Sequence, residues 1–257
     1  MSLFVGYYEG DFQDHVIDGN LCRCTGYQPI RKAAAALAAQ SRPADRFSAA
    51  LEAQPAQTGC AQPENSVFHN PTILGEALAL KAEHPDAVWI AGATDLGVAL
   101  SRGQAVANTL IAIDRLPELH ALEVDDQQVR IGAGVSLARL EREIPGIFPA
   151  LDQMLPWFAA RQVKNRATLG GNLGSASPIG DLLPWLLAHD AVIEVQSVHG
   201  MRQLPIDGYF LDYRKTALRS DELIVALHVP RLRAVQAAYK VAKRQTDDIS
   251  IVAAVYA

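Results

Sequence analysis

Positive charge is in short supply. Lys and Arg number 23 against 28 Asp and Glu, for a net charge of −5. Nucleic-acid binders usually carry a basic stripe, so general nucleic-acid binding is excluded. Cysteine is scarcer still: Cys22, Cys24 and Cys60 are the three in 257 residues, too few for a disulfide framework. No apolar run reaches the roughly 18 residues of a membrane helix, and no membrane partner is expected. The opening MSLFVGYYEGDF is apolar but has no basic flank, which argues against a signal peptide. What remains is ordinary for a cytoplasmic globular protein, with 49% hydrophobic and 20% charged residues. The length suits one large domain or two smaller ones.

The chain divides at a shift in composition. Residues 41–65 are rich in Ala, Gln, Pro and Ser with little periodic apolar pattern, and read as a linker. Residues 1–40 before it read as two helices, MSLFVGYYEGDFQDHVI and PIRKAAAALAAQ, the second with Pro29 at its start. So small a piece makes a poor core alone. After the linker, helices and strands alternate. TILGEALALKAEH, SLARLEREI (with Ser136 as N-cap) and PALDQMLPWFAARQV read as helical. AVWIAG, NTLIAID, QVRIGAGV, AVIEVQSV and ELIVALHV read as strands. The alternation predicts α/β architecture, whose ligands bind at the ends of strands.

Three stretches carry chemistry. In WIAGATDLGVAL a strand runs into Ala91-Gly92-Ala93-Thr94-Asp95. Small residues there can aim successive amides at a phosphate, or simply make a strand-to-helix turn with Thr94 or Asp95 as N-cap. RATLGGNLGSASPIGD, from Arg166 to Asp181, predicts a long bare loop against an apolar segment. Gly170 and Gly171 permit close approach or positive φ. Thr168, Asn172, Ser175, Ser177 and Asp181 supply hydrogen-bonding groups. The spacing is neither a Walker motif nor G-x-G-x-x-G. It is either half of a dinucleotide site or an irregular surface loop. Finally, Cys22 and Cys24 in GNLCRCTGY suit a zinc or iron–sulfur site, or are two reduced thiols.

DGNLCRCTGYQPI, AGATDL, RQVKNRATLGGNLGSASPIGDLLP, DYRKTAL with DEL, and YKVAKRQTDDIS occur in this order. Together they resemble the iron–sulfur/FAD subunits of bacterial xanthine dehydrogenases, in the molybdenum hydroxylase family. The resemblance implies an α/β (α+β) fold: a two-subdomain FAD-binding domain of the vanillyl-alcohol-oxidase or PCMH type. It would occupy residues 66–257, preceded at 1–40 by the remnant of an all-helical [2Fe–2S] domain. By the same resemblance Ile90, Ala91, Gly92, Ala93, Thr94, Asp95 and Leu96, with Thr168, Gly171, Asn172 and Ser175, would line FAD. Asp181 would hold its adenosine side. Phe158 would lie against the isoalloxazine ring, Ile224 would touch it, and Lys240 would be the cation beside it, a catalytic role. From the bare residues, Phe158 reads as core and Lys240 as a solvated charge. Asp247 and Asp248 match an acidic pair without an assigned task. Cys22 and Cys24 would ligate a [2Fe–2S] cluster.

The resemblance implies a molybdopterin-binding large subunit and NAD⁺ as partners, in a heterodimer-of-dimers. Electrons would pass from molybdenum through [2Fe–2S] clusters to FAD and on to NAD⁺. The chain departs from the family in keeping one of two cysteine pairs and in stopping before a further subdomain, so it reads as a fragment with an incomplete cluster ligand set. It is expected to retain FAD, to hold no complete cluster, and to be inactive on xanthine alone. Ala93 and Gly174 also depart from the family's residues. The alternatives are a flavin subunit acting with an aldehyde, CO or N-heterocycle hydroxylase, or a non-catalytic flavin-binding fragment.

Overall fold

The computed structural model describes all residues except 1, 11–13, 18, 21–23, 25, 42, 53–66, 105–106 and 245–247. The N-terminal piece is helical, as its pattern predicts: α1 (Ser2–Glu9), a short 3-10 turn, and α2 (Gln28–Ala38) with Pro29 in its first turn. Within the expected linker a further helix forms, α3 (Arg46–Glu52). Its start is fixed by Asp45, whose carboxylate accepts from the Phe47 and Ser48 amides.

Next come β1 (Val67–His69), α4 (Leu74–Glu83), β2 (Val88–Ile90), α5 (Leu96–Ser101) and β3 (Thr109–Ala112). The three strands form a parallel sheet in the order β1-β3-β2. They alternate with helices, as the sequence pattern requires of parallel strands. β4 (Leu122–Val124) and β5 (Gln128–Gly132) open a second layer, followed by α6 (Leu137–Glu143), α7 (Pro149–Met154), α8 (Arg161–Lys164), α9 (Leu169–Gly174) and α10 (Leu183–Ala188). β6 (Val192–Ser197), β7 (Gly200–Pro205), the hairpin β8 (Phe210–Asp212) and β9 (Lys215–Thr216), then β10 (Leu223–Pro230) follow. The chain closes with the hairpin β11 (Ala237–Val241) and β12 (Val252–Tyr256). The second sheet, β4-β5-β10-β6-β7, is antiparallel throughout.

β10 belongs to two cores. Its residues Ile224, Leu227 and Val229 join Val129, Ile131, Ile193, Trp185 and the helices α6, α7 and α9 in one cluster. Leu223 and Val225 face the other way, onto Leu74 and Leu78 of α4 and Leu116 and Leu119, against which Trp89 and Ala91 also pack. The Trp89 indole N–H donates to the Glu222 carbonyl at 3.0 Å, a direct tie between the two sheets. The start of β10 is held by a second bond set. Buried Glu222 accepts from Arg202 Nε at 2.6 Å and Nη2 at 2.8 Å, and from the Arg219 amide at 2.8 Å.

The Arg202 guanidinium holds the Glu222 carboxyl below the ordinary carboxylate value. A depressed folded-state value means the stabilisation is present above the unfolded value and is lost as pH falls through the folded one. Glu222→Gln should therefore cost about 1.5–3 kcal/mol at neutral pH, the range for hydrogen bonds to charged groups. Urea midpoints measured from pH 7 down to 3 should converge for parent and variant at the acid end. A constant gap across the range would show that the charge is not what holds β10.

Candidate functional site

The parallel sheet delivers one edge of the site. β2 ends at Ile90, and Ala91-Gly92-Ala93-Thr94-Asp95 lead into Leu96, the first residue of α5. Ala93 takes the left-handed conformation, φ 59°, which turns the chain sharply, and its carbonyl accepts from the Gly97 amide at 2.7 Å. Asp95 occupies the N-cap position, but its side chain makes no cap bond. Thr94 and Asp95 are exposed, while Ile90, Ala91, Gly92, Ala93 and Leu96 are half-buried.

The second stretch is less irregular than its composition predicts. From Thr168 the chain enters α9, with the Thr168 hydroxyl accepting from the Gly171 amide at 3.0 Å. A helix with three glycines has poor intrinsic propensity; tertiary bonds supply what propensity lacks. The Leu137 amide donates to Ala167 O at 2.9 Å, Leu169 N–H to Val135 O at 3.3 Å, and Gly170 N–H to Ala133 O at 3.0 Å. Ser136 and Thr168 form an isolated bridge between these rungs. The stretch thus lies like a zipper along residues 133–137.

The glycines divide by role. A Cβ on Gly170 would stand 2.5 Å from the Ala133 Cβ and 2.7 Å from its carbonyl oxygen, so this glycine is bare because the protein's own backbone abuts it. Gly171 would meet only the Thr168 hydroxyl at 3.0 Å, and Gly174 only the Ile224 Cδ1 at 3.8 Å. Neither Gly170 nor Gly171 has positive φ; of the two expected alternatives Gly170 shows the close approach, while the Gly171 amide is held by the Thr168 cap. The Ser175 hydroxyl is turned inward to the Asn172 carbonyl at 3.0 Å. The Asn172 side-chain oxygen is buried with no partner in the chain.

The two stretches meet. A Cβ on Gly92 would overlap the carbonyl oxygen of Arg166, so the first turn and the start of the second stretch touch backbone to backbone. Ile224, buried at the head of β10, lies beside Gly174.

Asp181 and Lys240 form a separate cluster. Both side chains are buried, and the carboxylate accepts from the ammonium at 2.7 Å. Asp181 also accepts from the Ser250 hydroxyl, and Lys240 donates to the Trp157 carbonyl at 3.0 Å. Lys240 is thus a buried, paired cation and not a solvated charge. Phe158, next to Trp157, is half-buried and packs against the larger core. Sequence reasoning missed Trp157 and Ser250 because nothing local marks a backbone carbonyl or a serine as a lysine's partner.

Asp248 caps its own turn, accepting from the Arg244 and Ile249 amides. Asp247, Cys22 and Cys60 lie outside the described residues, and Cys24 is exposed. Among the described residues no group of three or more His, Cys, Asp or Glu side chains could hold a metal ion. No described helix is long and apolar enough to cross a membrane.

Residues 62–232 match the family of the FAD binding domain in molybdopterin dehydrogenase. The chain belongs to this family. It is 31% identical over 310 residues to a xanthine dehydrogenase from Dictyostelium discoideum, covering 91% of this chain and 23% of that protein. It therefore spans about a quarter of that relative's length. Among solved structures it is similar to carbon monoxide dehydrogenase from Hydrogenophaga pseudoflava: 30% identity, TM-score 0.69, 74% of this chain and 68% of that one. Quinoline 2-oxidoreductase from Pseudomonas putida 86 is similar at 25% identity and TM-score 0.71, over 75% of this chain and 68% of that one. The fold expected from the sequence, a mixed α/β FAD-binding domain of PCMH type, agrees with this membership.

The two glycine-bearing stretches are held together through Gly92. Gly92→Ala should lower stability by about 1–3 kcal/mol, the usual cost of overpacking. Gly97 has open space around it, so Gly97→Ala should be neutral or stabilising by up to about 1 kcal/mol. Urea unfolding of the two variants checks this. Equal effects would mean that the contact with Arg166 does not constrain the turn.

Proposed function

We propose that this chain is the FAD-binding, electron-transfer part of a xanthine dehydrogenase, working with a molybdopterin-binding large subunit and NAD⁺. The observation that carries the flavin site is the meeting of the 90–96 turn with the entry to α9 at Arg166, with the orphaned Asn172 oxygen on that helix. A buried acceptor without a partner costs about 1–3 kcal/mol, which a donor on a bound ligand would recover. These residues fit FAD, whose hydroxyls and ring N–H can supply that donor. FAD, when bound, exchanges electrons between one-electron centres and a two-electron nicotinamide acceptor.

In this reading Ile90 through Leu96, Thr168, Gly171, Asn172 and Ser175 bind the cofactor. Thr168 acts through its cap, presenting the first turn of α9. Ile224 and Phe158 supply apolar walls. Asp181 and Lys240 act as a pair. The carboxylate offsets much of the ammonium's charge, so Lys240 tunes the flavin less than an isolated cation would, and its bond to Trp157 fixes the turn that carries Phe158. Cys22 and Cys24 are half of a [2Fe–2S] ligand set. The remaining thiolates, the heterodimer-of-dimers assembly and the cytoplasmic location are part of the same proposal.

A second reading is favoured by the likeness to carbon monoxide dehydrogenase and quinoline 2-oxidoreductase: a flavin component for another hydroxylated substrate. The cysteine-bearing DGNLCRCTGYQPI segment, fused ahead of the flavin domain, favours the xanthine dehydrogenase layout. Co-expression with the molybdopterin subunit and with the segment that supplies the remaining cluster thiolates, followed by assay of NAD⁺ reduction, decides between them. Xanthine should support turnover; activity on CO or a quinoline and none on xanthine would select the second reading.

Asn172→Leu should weaken FAD binding about two- to twelvefold, the loss of one neutral hydrogen bond worth about 0.5–1.5 kcal/mol. Titration of the flavin-stripped chain, followed by quenching of flavin fluorescence, measures this. An unchanged Kd would remove Asn172 from the site.

A further inference from the structure

Lys164 is wholly buried. It lies between the two oxygens of Glu141, at 3.0 and 2.9 Å, and also donates to Leu155 O at 3.3 Å. Glu141 sits on α6 and Lys164 ends α8. The zipper described above joins residues 133–137 to 167–170 by backbone rungs. Lys164–Glu141 continues it in the same antiparallel sense, as a side-chain rung beyond the last backbone one. The next carbonyl but one along the chain, that of Arg166, is the group packed on Gly92.

We propose that Lys164, acting through Glu141, is a positioning residue for the flavin site: the pair sets the height of Arg166 and so the spacing between the 90–96 turn and α9. This rests on the flavin-binding reading given above. The backbone rungs fix the register of residues 167–170, but none of them restrains residues 164–166 against α6. The ion pair supplies that restraint. The pair is suited to it, because the wholly buried Lys164 ammonium must stay aligned with its carboxylate partner.

Replacing one partner leaves a charge in a poor environment and risks the fold. Replacing both by apolar groups of similar size is often neutral for stability. The test is therefore the double variant Lys164→Met with Glu141→Leu, beside Lys164→Arg, in the full chain stripped of flavin and titrated with FAD. The double variant should keep its thermal midpoint within a few degrees of the parent. It should bind FAD at least tenfold more weakly and give an altered visible circular dichroism of the bound flavin. Lys164→Arg, which keeps the charge and the reach, should restore most of the affinity. A double variant with parental Kd and parental dichroism overturns the proposal while leaving the flavin site standing. A parent chain that binds no FAD at all overturns the flavin-binding reading and this inference with it.

Discussion

The carbonyl of Arg166 lies where a side chain on Gly92 would begin. That single contact joins two parts of the chain remote in sequence. On one side is the turn after a parallel strand; on the other is the entry to a helix lying against an antiparallel sheet. Hydrogen bonds and packing on either side keep the two sheets in place, through Trp89 to Glu222 and through the shared core under Leu223 and Val225. These hold the layers at the distance at which backbone can touch backbone. Any side chain on Gly92 would open that distance, so the geometry of the whole site depends on an atom that is missing.

Bare backbone beside a well-packed core is the oddity of the Arg166–Asp181 stretch, and its glycines answer it in two ways. Gly170 is bare so that the protein can approach itself, with its amide bonded to Ala133. Gly171 and Gly174 meet no other backbone, only the Thr168 hydroxyl at 3.0 Å and the Ile224 Cδ1 at 3.8 Å. The first kind costs a ligand nothing, since the chain's own contacts meet the entropy of ordering glycine. The second kind exposes backbone next to a buried, unpartnered Asn172 oxygen. The division separates a glycine packed on the protein's own backbone from two more open ones within a single helix of six residues.

Much of this was legible in the sequence, and the parts that were not share a cause. The helix after Ser136 was readable because a cap and an apolar period mark it, and the Ser136 hydroxyl does accept from Arg139 N–H. The helix at Leu169 was not, because its glycines predict a loop and its stability comes from bonds to residues 133–137. β11 and β12 are short and rich in alanine, which carries little strand preference. Lys240 reads as a surface charge within that strand. It is buried because Asp181 arrives from a distant loop to pair with it. Local pattern reports what a segment does alone; these features exist only where two distant segments meet.

The four-residue helix α8, about 6 Å long, shows how such meetings are graded. At its start Arg161 pairs with Glu9 of the N-terminal helical piece at 2.6 Å, with side chains 20% and 45% exposed. Gly19 of the same piece sits against Ala160 and Gln162. At its end Lys164, 1% exposed, pairs with Glu141. Exposed ion pairs contribute about 0–1 kcal/mol, whereas breaking a buried one by removing a partner costs about 3–5 kcal/mol. The Glu141 side chain is 27% exposed, so the second figure is an upper bound, but the order of the two is clear. Strain applied through the cysteine-bearing N-terminal piece would release the Arg161 end of α8 before the Lys164 end. The better-buried Lys164 pair thus ties α8 to α6 on the side nearer the turn at Gly92 and the helix at Leu169.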